Sequence, residues 1–310
     1  MSSSDSIFIA CSCDEHYAPG LAAMVRSLLD RYTGRRTLSL FVLETNLSPN
    51  TKKRLLRSWR DDRLSVQFLR PDPSLFEGLP CLHGVHPAMY YYLALPELLP
   101  HVEKILKMDA DMLILRDISE LWETEVGSSP MAATTELLAP YVSSPRALAN
   151  YETLKIPPMT KYCNAGLQLM NLRQWRTEGI AKKILHYTRT HRTILRYWDQ
   201  DGVNAILAGR WLTVDDRWNV EAEALMLTGW TPDDPTIVEE IIRDAWILHF
   251  VVYKPWKKHC PHPRTALFLH TLLHTAWWPL ALLRLLHLHA KRTMAMLKKM
   301  AEVSLFFSTQ

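Results

Sequence analysis

The sequence predicts an α/β fold: a mainly parallel sheet with helices on its faces, followed by a basic tail. Three observations carry this. Short apolar runs alternate with helix-period segments through the first 122 residues, the pattern of strands joined by crossover helices. The composition is 48% hydrophobic and 22% charged, which excludes a disordered or fibrous chain. The length of 310 residues accommodates two domains, or one large domain with an appendage.

Ile7–Ala10 is a short apolar run and reads as a buried first strand. Pro19 opens a helical pattern through Leu21, Met24, Val25, Leu28 and Leu29, because proline is tolerated in a first turn. Leu38–Leu43 is the second strand, Ser48-Pro49 caps a helix through Leu55, Leu56 and Trp59, and Leu64–Leu69 is the third strand. Met89–Leu99 suits a helix. The fourth apolar run, Ile105–Met108, ends on Asp109-Ala110-Asp111, and Met112–Leu115 follows at once. The long segment Thr134–Thr160 carries no readable pattern and is expected to help form one side of any site.

Charge divides the chain. There are 36 Lys+Arg against 32 Asp+Glu, a net charge of +4, which gives no reason to expect nucleic acid as a partner. From Pro261 onward six basic residues face one acid, Glu302. The expected organisation is a catalytic body at 1–260 and a basic amphipathic helical segment at 261–310. Five cysteines, an odd number, argue against a disulfide framework and for a reducing compartment. The N-terminus lacks a basic stretch and a long apolar core, so no export signal is expected.

Asp109-x-Asp111 is a weak signal as a bare pattern, since Asp199-x-Asp201 matches it too. Position raises it: both acids follow an apolar strand, where open α/β sheets bind ligands. Carboxylates held together repel each other and favour a hard cation such as Mg²⁺ or Mn²⁺. His249, after the run Ile247-Leu248, could add an imidazole and favour Mn²⁺. Lys254, in Lys254-Pro255-Trp256, could pair with phosphate as a point charge. Asn164, before Ala165-Gly166, offers a donor and acceptor for a sugar hydroxyl. Asp199-Gln200-Asp201 precedes a helix, where acids are usually caps.

In order, these segments resemble glycosyltransferase family 8, the retaining, metal-dependent galactosyl- and glucosyltransferases of bacterial lipopolysaccharide synthesis. The resemblance spans Asp14-Glu15-His16-Tyr17, Lys107–Leu115, Asn164–Gly166, Asp199–Asp201 and His249–Trp256. It implies a GT-A type, Rossmann-like mixed sheet and a UDP-sugar donor. It further implies that Ser12, Asp14, His16 and Tyr17 line the uridine site. Asp109, Asp111 and His249 would hold Mn²⁺, and Lys254 would touch phosphate. Asn164, Ala165, Gly166, Asp199 and Gln200 would surround the donor sugar, with Asp201 just behind it; Asp199, Gln200 and Asp201 are the catalytic candidates. Two departures stand out. Tyr92 occupies a position where the family commonly has arginine, and the His249–Trp256 segment is one residue short and lacks a glycine.

The expected activity is transfer of galactose or glucose to an oligosaccharide or lipid-linked glycan acceptor. Rival readings are a metal-dependent phosphohydrolase or nucleotidyltransferase, which would also use the Asp pair, and a non-catalytic sugar-nucleotide-binding relative. In the tail, Leu269, Leu272, Leu273, Trp277 and Leu280 gather on one side of a helix, and basic residues follow Arg284. That composition suggests peripheral attachment to an anionic membrane surface, here the inner face of the cytoplasmic membrane; the alternatives are a helical subdomain packed on the body or on a partner, and, against its polar interruptions, a membrane span.

Overall fold

The computed structural model describes residues 6–81, 87–221 and 236–308. The described strands are β1 (Ser6–Cys13), β2 (Thr37–Glu44), β3 (Leu64–Leu69), β4 (Lys104–Met108), β5 (Met112–Ile114), β6 (Met131–Thr135), β7 (Cys163–Asn171), β8 (Leu212–Thr213) and β9 (Ile247–His249). Seven form one sheet in the order β3-β2-β1-β4-β7-β6-β8, while β5 and β9 pair separately. From β3 to β4 the neighbours are parallel, as the strand–helix alternation predicts. β7 then runs antiparallel to both β4 and β6, which makes the sheet mixed.

Alternation along the strands feeds two cores. Ile7, Ile9 and Cys11 of β1 face a layer containing Leu21, Met24 and Leu28 of the helix Ala18–Arg31. Ala10 of β1 and Phe41 and Leu43 of β2 face the opposite layer, with Tyr90, Tyr92, Trp175 and Ile184. This is the period-2 signature of a sheet covered on both faces. The helix Pro49–Ser58 starts as its sequence predicts: Ser48 Oγ accepts the Thr51 N–H at 3.1 Å, and Pro49 occupies the first turn.

The expected helix Met89–Leu99 takes a different form, a 3₁₀ segment Pro87–Ala94 followed by a single α turn, Leu95–Leu98. Pro96 explains the break, since its ring would clash with the Tyr92 carbonyl in a continuous α-helix.

The tail also differs from its expected form. The helix Thr265–Leu273 buries Phe268, Leu269 and Leu272 completely in the body's core, and Trp277 is 5% exposed. Arg54 stacks over the Trp277 ring at 4.2 Å and donates to the Ala276 carbonyl at 3.1 Å. The face expected to meet a membrane is therefore spent on the protein, and the boundary at 260/261 does not separate two packing units. The helix Trp278–Ser308 follows. No described helix is long and apolar enough to cross a membrane. The side chains of Arg292, Met296, Lys298 and Lys299 lie outside the described residues.

Candidate active site

Two strand pairings meet at Asp109-Ala110-Asp111. Beyond the end of β4, the Asp109 N–H donates to the Gly166 carbonyl at 3.0 Å, extending the β4–β7 ladder by one residue. On the other side β5 pairs with β9, setting Met112 opposite His249, and the Phe250 N–H donates to the Asp111 carbonyl at 3.0 Å. Backbone register thus brings His249 beside two aspartates far earlier in the sequence. One ligand atom each from Asp109, Asp111 and His249 lies within 4.8 Å of the others. His249 Nε2 is 3.2 Å from Asp111 Oδ1 and 3.7 Å from Asp109 Oδ2. Gly166 is required by this approach, because a Cβ there would sit 2.4 Å from His249 Cε1.

The imidazole is aimed. His249 Nδ1 donates to Asn219 Oδ1 at 2.9 Å, which leaves Nε2 to face the carboxylates as a ligand. Asn219 Nδ2 in turn donates to Asn164 Oδ1 at 2.9 Å. Two hard oxygens and one imidazole suit Mn²⁺, with Mg²⁺ the poorer match. Burial acts against ionisation of Asp111, but the neighbouring Lys254 and His249 hold its carboxyl well below the usual carboxylate range.

These groups line a cavity of about 590 Å³ at the carboxyl ends of the central strands. Ser12, Asp14 and Tyr17 line it, as do Asn164, Ala165, Gly166, Asp199 and Gln200. Ser12 Oγ is buried without a hydrogen-bond partner among the described residues, a polar atom for a ligand to satisfy. Asp14 Oδ1 accepts the Tyr17 N–H at 2.9 Å, and Tyr17 packs edge-on against Trp256 at 5.8 Å. Burial pushes Asp199 up to about 7, with Lys107 opposing the shift and Asp109 adding to it.

Three candidates make contacts that the resemblance does not imply. His16 is exposed and absent from the cavity wall; its contribution is its carbonyl, which accepts Trp256 Nε1–H at 3.0 Å. Asp201 is 1% exposed and also outside the wall. Its carboxylate accepts the Tyr162 hydroxyl at 2.7 Å and the Arg196 and Tyr197 N–H groups at 2.6 and 2.9 Å. Those bonds pin the turn before Asp199, where Trp198 sits at φ +45°, a costly conformation for a bulky residue. Asp201 therefore builds the turn that presents Asp199, and no catalytic role follows from its position. Lys254 does line the cavity, but its ammonium is turned onto Asp111 and onto the Phe250 and Val251 carbonyls at 2.6 and 3.0 Å.

The structure also adds residues without a sequence signal. Glu136 and Glu221 are buried in the wall, and both accept from Asn164 Nδ2, at 2.8 Å for Glu136. Gln200 Nε2 donates to Glu136 at 3.1 Å, and Gln200 Oε1 accepts the Ala165 N–H at 2.9 Å. Burial, then the neighbouring Glu136, raises the Glu221 carboxyl well above its usual range. Lys107 completes the floor beside Asp109.

A Rossmann-like mixed sheet with paired aspartates and a histidine at its carboxyl edge, beside an Asn-Ala-Gly wall, defines a GT-A type glycosyltransferase. The model for glycosyl transferase family 8 matches residues 8–260, and the chain belongs to that family. It is 29% identical over 287 residues to General stress protein A of Bacillus subtilis, covering 88% of this chain and 96% of that one. It is 20% identical over 285 residues to lipopolysaccharide 1,2-glucosyltransferase of Escherichia coli, covering 89% and 80%. A solved structure of the galactosyltransferase LgtC, in complex with donor and acceptor sugar analogues, superposes with a TM-score of 0.73 at 22% identity, covering 87% of this chain and 96% of that one.

Proposed function

We propose that this glycosyltransferase moves galactose or glucose from a UDP-sugar to a hydroxyl of a surface saccharide, lipopolysaccharide or a related lipid-linked glycan, with retention at the anomeric carbon. The observation that carries the reading is the Asp109, Asp111 and His249 cluster on the floor of a cavity whose walls hold Asn164, Asp199 and Gln200. Mn²⁺ held by the cluster would act as a Lewis acid for the leaving diphosphate.

The chain's own residues do the rest. Ser12, Asp14 and Tyr17 receive the nucleoside end. Lys254 is the fixed counter-charge of Asp111, and it keeps that carboxylate ionised and oriented as a ligand. Asn164, Asp199 and Gln200 orient the sugar. Double displacement needs a nucleophile close to the anomeric carbon. Asp201 is spent on the Trp198 turn, and both ends of the Gln200 amide are held by Ala165 and Glu136. Asp199 is assigned the orienting role, and the step is same-face attack: the acceptor oxygen bonds to the anomeric carbon as the bond to phosphate breaks, and the proton passes to the leaving phosphate oxygen. The names of similar glucosyl- and galactosyltransferases support the hexose and the glycan acceptor. The exposed apolar stripe of the last helix supports peripheral contact with a membrane surface, which this reading places on the inner face of the cytoplasmic membrane, where a lipid-linked acceptor would be met.

Incubation with UDP-glucose or UDP-galactose, Mn²⁺ and a lipopolysaccharide-type acceptor tests the reading. Transfer with an α-linked first product supports it. Phosphate release without transfer, or binding without turnover, would falsify it, and a β-linked product would overturn the retaining class.

A further inference from the structure

Lys107 is a charged residue in the middle of a sheet. It lies on β4 and is 4% exposed, yet it forms part of the cavity wall. Burying an ammonium is costly unless its donors are matched. Two are matched: Nζ donates to Asp109 Oδ1 at 2.6 Å and to the Ala165 carbonyl at 2.8 Å. The third donor has no hydrogen-bond partner among the described residues. The Tyr92 ring closes one side, its centroid 4.9 Å from Nζ. Asp109 and Asp199 are the acids that act on it most strongly. Lys107 thus lines the cavity beside a metal-ligand carboxylate, and Asp199 lines the same cavity.

We propose that Lys107 is a specificity residue that reads one hydroxyl of the transferred hexose, donating its third N–H to that oxygen while the hydroxyl donates to Asp199. An ammonium and a carboxyl group lining one cavity can together complement a hydroxyl, which accepts through its lone pairs and donates its one proton. A carbon without that oxygen would leave the third Lys107 donor and the Asp199 carboxyl unmatched, so the site discriminates against a deoxy sugar. Tyr92 supplies the ring face that packs the lysine in place, and its phenol lacks the permanent charge for this task. The inference rests on the transfer reading above and adds to it a donor sugar with an unmodified hydroxyl at this position.

A substrate-by-enzyme cycle tests it. The kcat/KM with Mn²⁺ is measured for the preferred UDP-hexose and its monodeoxy analogues, in the full-length wild type, Lys107→Met and Lys107→Arg. Wild type should reject one deoxy analogue by about tenfold or more. Lys107→Met should lose a similar factor on the parent sugar yet reject that same analogue less than about twofold, because the group that read the hydroxyl is gone. Lys107→Arg should keep part of the discrimination. The loss in affinity for UDP alone, measured by calorimetry with Mn²⁺, should be the smaller effect. Equal losses on the parent, on every analogue and on UDP would mean that Lys107 acts only by holding Asp109, and would overturn the proposal. If Lys107→Met does not fold, Lys107→Gln, whose amide still donates to Ala165, is read in the same cycle. A wild type that turns over no UDP-hexose defeats the transfer reading itself, and this inference with it.

Discussion

Asn219 holds His249 through a 2.9 Å hydrogen bond to Nδ1, and so decides which ring nitrogen faces the two aspartates. Replacing Asn219 with alanine frees the ring to rotate and to exchange tautomers. Such outer partners typically contribute about 10–100-fold in metal affinity. We expect Asn219→Ala to weaken Mn²⁺ binding by that range while leaving the three ligands in place. Titration calorimetry checks it, and an unchanged affinity would show that the imidazole needs no such support.

The two aspartates should respond differently to amide substitution. Asp109 is 40% exposed at its side chain, and Asp109→Asn keeps an oxygen toward Lys107. Its melting temperature should barely move, while Mn²⁺-dependent UDP affinity disappears. Asp111 is buried against Lys254. Asp111→Asn leaves that ammonium opposite a neutral amide, so it should abolish metal binding and also cost on the order of 3 kcal/mol of stability. Thermal melts alongside calorimetry separate the cases; equal melting temperatures would contradict the buried ion pair.

Asp201→Asn probes the Trp198 turn. An amide must point its NH₂ at one of three donors, from Tyr162, Arg196 or Tyr197. A lost buried hydrogen bond of this kind costs about 1–3 kcal/mol. The expected result is a lower melting temperature with substantial turnover retained. A collapse of activity at unchanged stability would make Asp201 a nucleophile after all.

What the sequence revealed follows from how local each signal is. The first four parallel strands were legible because each is a short apolar run bounded by turn residues, as in Leu38–Leu43. Asp109, Asp111 and His249 were legible because each sits at the end of such a run. Glu136, Asn219 and Glu221 gave no local signal. They reach the cavity only because β7 inserts antiparallel between β4 and β6, and because the Val220 region bridges to β9, pairings over long separations that no window of residues encodes. Glu136 and Arg146 do place part of the segment 134–160 in the cavity wall. Asp201 and His16 show how little a matching motif says of contacts: the Asp201 carboxylate is engaged by Tyr162, Arg196 and Tyr197, and the His16 carbonyl accepts from Trp256.

His262 should make stability depend on pH. Its ring lies 4.6 Å from Phe250, Nδ1 accepts the Arg264 N–H at 3.0 Å, and burial lowers its pKa to about 4, with Arg264 adding to the shift. Between about 4 and the unfolded value of 6.5 the unfolded chain binds more protons, so stability rises with pH in that window. Above 6.5 the contribution is complete; on acidification to pH 4 about 3 kcal/mol should be lost. His262→Phe should flatten this slope in urea melts at pH 4.5 and 7. A slope unchanged by the substitution would assign the effect to other groups.

The last helix carries two apolar faces, and they should have separable effects. Ala281 is fully buried, and Leu285 and Leu288 pack against the core. On the opposite side Trp278, Leu282, Leu283, Leu286, Met294 and Leu297 are 43–68% exposed. At 100° per residue these six fall within one arc of about 160°, and Lys291 flanks the helix as an exposed cation. Phe268 is wholly buried, so Phe268→Ala should destabilise the body by about 3–5 kcal/mol, and a truncation ending near Cys260 should fail to fold. The outer face offers the separable test. A Leu282→Ser, Leu283→Ser, Leu286→Ser triple variant removes only exposed apolar surface, so its melting temperature and its turnover of a soluble acceptor should match the wild type. If the stripe seats the enzyme on anionic lipid, that variant should lose co-sedimentation with phosphatidylglycerol vesicles at low salt and glycosylate a vesicle-embedded acceptor poorly. Full-length protein that never co-sediments, or a triple variant that binds vesicles as well as the wild type, would assign the exposed stripe to a role other than membrane attachment.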